Sequence, residues 1–199
     1  CDRHRTSVRG RIELLMQLCD AIGYAHARFV VHQDIKPSNL LVTEDGQLQV
    51  LDFGLSSVHT ENAQAPRIAI SYGYAAPEAI AGDRPSAAGD VYAIGVVMYR
   101  LLASGWPYPL RHSYSGVAPD TATQALPLDQ LAADAPLAVA LQRNLQRPQD
   151  LSNILHGDLT CIAMKCVAIE PAHRYASVRE LHADLQRHLD GRPILIRRH

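Results

Sequence analysis

The chain has 199 residues, 47% of them hydrophobic, which is enough for one domain with a sizeable core and excludes disorder as its main state. Its 19 Lys and Arg residues oppose 20 Asp and Glu residues, so the net charge is -1. This balance gives no basic field for nucleic acid or an anionic membrane, and neither is an expected partner.

The cysteines and histidines show no pattern of a metal site or a disulfide framework. The four cysteines lack paired short spacings, which favours a reducing cytoplasmic compartment, and the ten histidines are scattered along the chain. No apolar run reaches the roughly 18 residues of a membrane span, although a longer protein could still be membrane-tethered. Because the chain begins with Cys1 in a polar stretch, we expect a fragment of a longer protein.

The first half of the chain predicts a buried helix followed by a β-hairpin. Apolar residues recur every three or four positions from Val8 to Ala27, which is the period of a helix with one buried face. The β-rich runs 40–42 and 48–51 flank Asp45-Gly46, a dipeptide typical of hairpin turns.

The second half is predicted to be helical after a long loop over residues 55–75, and loops of this length are often functional. The predicted helices cover residues 87–104, 128–145, 158–168 and 178–189. Ser177 and Glu180 form a capping-box pattern before the last helix, and Gly191 and Pro193 end it. The expected fold class is therefore mainly α with one small hairpin.

Three motifs follow one another in the sequence. They are His32-Gln33-Asp34-Ile35-Lys36-Pro37-Ser38-Asn39, Asp52-Phe53-Gly54 and Ala76-Pro77-Glu78. In order and spacing they resemble the catalytic loop, the metal-binding motif and the end of the activation segment of protein kinases. The resemblance implies the C-terminal lobe of an α+β kinase fold over residues 1–190, with the start of a linker at 191–199.

The predicted hairpin lies between the first two motifs. Asn39 stands just before its first strand and Asp52 just after its second, so we expect both side chains at the same end of the sheet. Both offer the hard oxygen ligands that suit Mg²⁺. Phosphoryl transfer needs a base at the attacking hydroxyl and cations on the phosphate oxygens.

The resemblance implies further roles for single residues. Asp34 would accept the proton of the substrate hydroxyl and Lys36 would lie beside the transferring phosphate, as in kinases that modify Ser or Thr. Leu41 would form the floor under the adenine of ATP, and Ser71 would contact Asp34 and Lys36. Read without the resemblance, Asp34 is a helix or turn cap, Leu41 a core residue of a strand and Ser71 a solvated loop serine.

Two structural roles follow from the same resemblance. Asp90 resembles the aspartate that anchors the catalytic loop from below. Arg174 resembles the arginine that pairs with the glutamate of the Ala-Pro-Glu motif, here Glu78. The end of the chain, from Arg174 to Pro193, is similar to bacterial serine/threonine kinases whose catalytic domain precedes a helical-repeat region.

The sequence departs from the kinase pattern in two ways. It contains no Gly-rich loop, no strand Lys for the phosphates and no helix Glu for that Lys, so we expect weak or absent ATP binding without a missing N-terminal lobe. Gln33 replaces the Arg that normally receives a phosphorylated activation-loop residue, which argues against that form of switching. Thr60, Ser56 and Ser57 remain candidate phosphosites.

The predicted function is therefore that of a protein serine/threonine kinase using ATP and Mg²⁺ on protein substrates, inactive as a lone lobe. A partner-binding pseudokinase or lone lobe is the main alternative, although Asp34, Asn39 and Asp52 are all retained. A phosphotransferase acting on small molecules is a third, and such enzymes generally lack the Ala-Pro-Glu segment.

Overall fold

A computed structural model describes residues 2, 4–52, 73–109 and 123–196. Two strands form one antiparallel hairpin, and the other elements are helices. In chain order the elements are α1 (Val8–His26), β1 (Leu40–Val42), β2 (Leu48–Val50), α2 (Pro77–Ala81), α3 (Ala87–Ala103), α4 (Leu128–Ala133), α5 (Leu137–Leu141), α6 (Pro148–Leu155), α7 (Asp158–Cys166) and α8 (Val178–Leu189). The predicted fold class, mainly helical with one small hairpin, is confirmed.

Helix α3 forms the centre of the core. Ser86 caps its start by accepting a hydrogen bond from the Gly89 N–H, and Ser104 ends it in a left-handed conformation. All residues from Asp90 to Tyr99 are buried, because α1 and α7 pack against different sides of the helix. Gly95 permits the close approach of α7, since a Cβ there would lie 2.5 Å from the Cβ of Cys166.

Helix α1 lies between α3 and α8 and carries the hairpin on its exposed side. Ser7 caps it by accepting from the Gly10 N–H, and the apolar face predicted from the sequence is buried. The Gln17 side chain accepts from the Leu48 N–H at 2.8 Å and donates to the Gly46 carbonyl at 3.3 Å. These two bonds fix the hairpin on α1, and the hairpin itself is confirmed.

The region after α3 differs from the prediction. The single helix expected over residues 128–145 is wrong, because it is divided into Leu128–Ala133 and Leu137–Leu141. Pro136 stands at the break, where its lack of an N–H and its ring prevent a continuous helix. The sequence also did not predict helix Pro148–Leu155, which begins with Pro at its first position.

The other predicted helices are confirmed, α8 together with its Ser177 cap. Residues 191–196, expected to begin a linker, lie against the lobe, where the Leu195 N–H donates to buried Asp184 at 2.7 Å. Most of the predicted loop 55–75 falls outside the described residues. Among the helices that the structure describes, none has the length and apolar character needed to cross a membrane.

Candidate active site

The segment between α1 and β1 brings three of the predicted site residues together. The Nζ atom of Lys36 lies 2.6 Å from Oδ2 of Asp34, and the amide nitrogen of Asn39 lies 3.0 Å from the same oxygen. Asn39 is buried, while about a quarter of the Lys36 side chain and a third of the Asp34 side chain are exposed. The Asp34 carboxylate is therefore held by two donors at the surface of the lobe.

The Asn39 side chain has a defined orientation. Its Nδ2 atom donates to both the backbone oxygen of Asp34, at 2.9 Å, and the Asp34 carboxylate. The amide oxygen therefore points away from Asp34, and among the described residues it accepts no hydrogen bond. An amide oxygen in this position is a hard ligand available to a cation.

The hairpin register determines where Asp52 lies. Leu40 pairs with Val50, and the Leu51 N–H donates to the Asn39 carbonyl at 2.9 Å. Asp52 follows directly, so Asn39 and Asp52 flank the same end of the sheet, as the sequence predicted. Asp52 is exposed and has a φ of 56°, a conformation uncommon for residues other than Gly. The pair offers one amide oxygen and one carboxylate, a donor set that fits Mg²⁺.

His32 connects the loop of residues 32–39 to the end of the hairpin, a role that the sequence did not predict. Its Nδ1 accepts from the Asp34 N–H at 3.3 Å, so Nε2 carries the proton and donates to the Leu51 carbonyl at 3.1 Å. The ring is 1% exposed. This buried histidine fixes the backbone before Asp34 relative to the backbone before Asp52.

Asp90, in the first turn of α3, holds the catalytic loop from the other side. Its two carboxylate oxygens accept from the backbone N–H groups of His32, at 2.8 Å, and Gln33, at 2.9 Å. Gln33 has a φ of 72°, and non-Gly residues in such sparsely populated conformations cluster at functional sites. Because Asp90 is 1% exposed, these bonds are shielded from water.

His26 is a second residue that the sequence analysis missed. Its Nε2 lies 2.7 Å from Oδ2 of Asp90, so the last residue of α1 and the first turn of α3 meet at one carboxylate. The sequence signal was only its position on the buried face of α1. Nothing local in the sequence connects it to Asp90, which is 64 residues away.

The contact expected between Glu78 and Arg174 is present. The two Nη atoms of Arg174 donate to the two carboxylate oxygens of Glu78 at 2.6 and 2.7 Å. The remaining N–H groups donate to the carbonyls of Ala88, Ala168 and Ile169. All five donors of a fully buried guanidinium are therefore used, and they join α2 and the start of α3 to the loop after α7.

Leu41 and Ser71 are the two remaining residues to which the sequence assigned a role. Leu41 is 50% exposed on β1, so it is not a core residue, and Val42 and Leu51 beside it are also exposed. Val30, which precedes this segment, is also exposed. Ser71 falls outside the described residues, as do Phe53, Gly54 and the candidate phosphosites Ser56, Ser57 and Thr60.

Comparison with known proteins agrees with this arrangement. The sequence profile described as "Protein kinase domain" matches residues 4–184, which is most of the chain. The chain belongs to the protein kinase family. The resemblance that the three motifs indicated is thus confirmed, and the described part of this kinase has the helices and small hairpin expected of a C-terminal lobe.

Bacterial serine/threonine kinases are among the curated proteins to which the chain is similar. Serine/threonine-protein kinase PknB of Mycobacterium leprae (strain TN) is 28% identical over 188 residues, covering 92% of the chain and 26% of the relative. Serine/threonine-protein kinase PknD of Chlamydia pneumoniae is 29% identical over 207 residues, covering 95% and 20%. The chain thus spans about a quarter of the length of the curated relatives that it matches.

Proposed function

We propose that the chain is the C-terminal lobe of a protein serine/threonine kinase that transfers the γ-phosphate of ATP to Ser or Thr hydroxyls of proteins. The observation that carries the proposal is the position of Asp34, whose carboxylate contacts Lys36 at 2.6 Å and Asn39 at 3.0 Å. A carboxylate, a cation and an amide oxygen at one surface are the groups that phosphoryl transfer requires.

Asp34 acts as the base in this proposal. Its carboxylate is accessible, and the Asn39 amide and the His32 ring fix its backbone and side chain. It would accept the proton of the substrate hydroxyl, and a placed base contributes about 10² to 10⁴ in rate. Lys36 neutralises Asp34 in the structure and would bind a phosphate oxygen once the substrate occupies the site.

Asn39 and Asp52 would hold Mg²⁺. The free amide oxygen of Asn39 and the exposed carboxylate of Asp52 flank the same end of the hairpin, which supports this assignment. When bound, the ion offsets charge on the phosphate oxygens. The chain's own contribution is a fixed backbone, because Asp90 holds the loop that leads to Asn39 and His32 ties that loop to Leu51, the residue before Asp52.

A second lobe would cover the exposed apolar side chains at the hairpin. Leu41, Val42 and Leu51 are 39–50% exposed there, and apolar side chains exposed in this way mark a surface that another part of the protein covers. We propose that this lobe carries the Gly-rich loop and the ATP-binding Lys, and that Leu41 lies under the adenine between the lobes. The C-terminal lobe by itself would be inactive.

Two finer assignments belong to the same proposal. Ser71 would contact Asp34 and Lys36 and help to select Ser or Thr as the acceptor. The kinase would work in the cytoplasm, which is supported by the free thiols of Cys19, Cys161 and Cys166.

The test is phosphoryl transfer from ATP to a generic basic protein, using the lobe joined to its N-terminal lobe. We expect Asp34→Asn to lower the rate by about 10² to 10⁴. Asp83→Asn is the matched control, because Asp83 is exposed in the loop between α2 and α3. This variant should transfer phosphate at the rate of the unmodified protein. Absence of transfer from a folded protein that binds Mg-ATP would refute the proposal and favour a partner-binding pseudokinase.

A further inference from the structure

Three side chains that the kinase motifs do not include form a stack beside the end of α3. The rings of Tyr74 and Trp106 meet edge to face, with centroids 5.3 Å apart and an angle of 61° between their planes. The guanidinium carbon of Arg100 lies 4.7 Å from the centroid of the Trp106 ring. We call these three residues the Arg100 platform.

Within the part of the chain that the structure describes, the Arg100 guanidinium uses one of its donors in a hydrogen bond. One Nη atom donates to the Ser104 carbonyl at 2.8 Å, and among the described residues Arg100 forms no ion pair with a carboxylate. An arginine stacked on an indole presents its remaining N–H groups in a fixed plane, which suits a carboxylate.

The stack holds this guanidinium in place before any ligand binds. Arg100 is bonded within its own helix end, at Ser104, and Trp106 follows two residues later. The Tyr74 ring also packs against the indole, edge to face. A carboxylate that binds there does not have to immobilise a long flexible side chain, which is the usual entropic cost of a surface ion pair.

The platform lies within reach of a peptide bound at Asp34. Asp90 holds the catalytic loop at the start of α3, and Arg100 is ten residues further along the helix, about 15 Å away. Tyr74 precedes Glu78 by four residues, and Arg174 fixes Glu78 beside Ala88 at the start of α3. An extended peptide spans about 15 Å with four or five residues.

We propose that the Arg100 platform binds an acidic side chain of the protein substrate, so that the kinase prefers Ser or Thr residues with Asp or Glu a few positions away. The identification of this peptide as a substrate rests on the proposed function. The binding of an acidic peptide to the platform does not depend on catalysis, and it can be measured on the chain alone.

Trp106 supplies the signal for this measurement, since it is the sole tryptophan of the chain. Its fluorescence is followed during titration with two peptides of equal length, one with Glu on both sides of a central Ser and one with Lys at the same positions. We expect the acidic peptide to bind about 3- to 10-fold more tightly at low salt, and raising the salt to about 0.5 M to remove the difference.

Arg100→Gln should abolish the preference while leaving thermal unfolding nearly unchanged. Arg147→Gln is the matched control, because Arg147 is exposed just before α6 and the variant should retain the preference. Equal binding of the two peptides would overturn the proposal, as would a preference that survives Arg100→Gln or high salt. The two proposals can fail separately. If the lobe prefers the acidic peptide but the protein transfers no phosphate, the proposed function is contradicted and the binding site is still supported.

Discussion

Buried polar and charged side chains lie at both ends of α3, but the contacts that they form differ between the two ends. At the start of the helix each largely buried carboxylate meets a side chain with N–H groups, Asp90 against His26 and Glu78 against Arg174. At its end two arginines, Arg11 and Arg143, both donate to the Leu101 carbonyl and are each 1% exposed. The one carboxylate that pairs with them among the described residues is Asp2, whose side chain is 54% exposed.

The difference agrees with the electrostatic polarity of an α-helix. The first turn of a helix presents free N–H groups and attracts anions, whereas the last turn presents free carbonyls and attracts cations. Arg143 also donates to the Leu102 carbonyl, and burial together with the charge of Arg11 lowers its pKa to about 10. At the start of α3, Asp90 holds the loop of residues 32–39, and at its end Arg11 and Arg143 satisfy carbonyls of the helix.

The largest effect is expected when the opposite charges at the start of α3 are separated. Arg174→Ala leaves the Glu78 carboxylate without its cation and three carbonyls without donors, which should lower the free energy of unfolding by about 3 to 5 kcal/mol. Chemical denaturation measures this loss. Arg179→Ala, an exposed arginine nearby on α8, is the control, and a loss no greater than that of the control would refute the importance of the pair.

The middle of α3 should respond to packing rather than to charge. A Cβ at Gly95 would lie 2.5 Å from the Cβ of Cys166 and 2.9 Å from Cγ1 of Val167, so Gly95→Ala should cost about 1 to 3 kcal/mol of stability. Gly89→Ala is the matched control on the same helix, because its Cβ would approach nothing closer than 3.8 Å. Equal stabilities of the two variants would show that α7 can move away from α3 at little cost.

High pH should weaken the region just after α3. The Tyr108 hydroxyl donates to the Val167 carbonyl at 2.6 Å, and burial raises the pKa of this phenol to about 12. Because the folded pKa exceeds the unfolded value of about 10, this stabilisation is complete below pH 10 and decreases by about 1.4 kcal/mol at pH 11.

Denaturation at several pH values, compared with Tyr108→Phe, isolates this contribution. The decline with pH should be shallower in Tyr108→Phe by that amount. The buried arginine acts in the opposite direction, since the lowered pKa of Arg143 makes the folded state gain stability relative to the unfolded state as pH rises above 10. Identical pH slopes for the two proteins would contradict the role of Tyr108.

The smallest effect is expected at the carboxylate that accompanies the two arginines. Asp2→Asn removes an ion pair with Arg11 at 2.8 Å, but Asp2 is largely solvated, so the loss should be about 0.5 kcal/mol and should shrink in high salt. Glu13→Gln, which removes the exposed pair with Arg9, is the comparison. A loss of several kcal/mol would mean that the arginines depend on Asp2 rather than on the helix carbonyls.

The amino-acid sequence by itself determined the elements whose signals are local. Helix α1 followed from its apolar period, the hairpin from Asp45-Gly46, and α8 from the cap at Ser177. The grouping of Asn39 with Asp52 was also predictable, because a short hairpin necessarily returns its ends to one place. These features depend on residues within about a dozen positions of each other, where steric and hydrogen-bonding preferences act directly.

Only the tertiary structure decided the contacts between distant residues. His26 and Asp90 are 64 positions apart, and Arg11 reaches Gln142 across 131 positions. The division of the helix predicted over residues 128–145 and the stack of Tyr74, Trp106 and Arg100 belong to the same class. Such contacts depend on how helices pack around α3, and the periodicity of a single segment records which face is buried without recording what that face will meet.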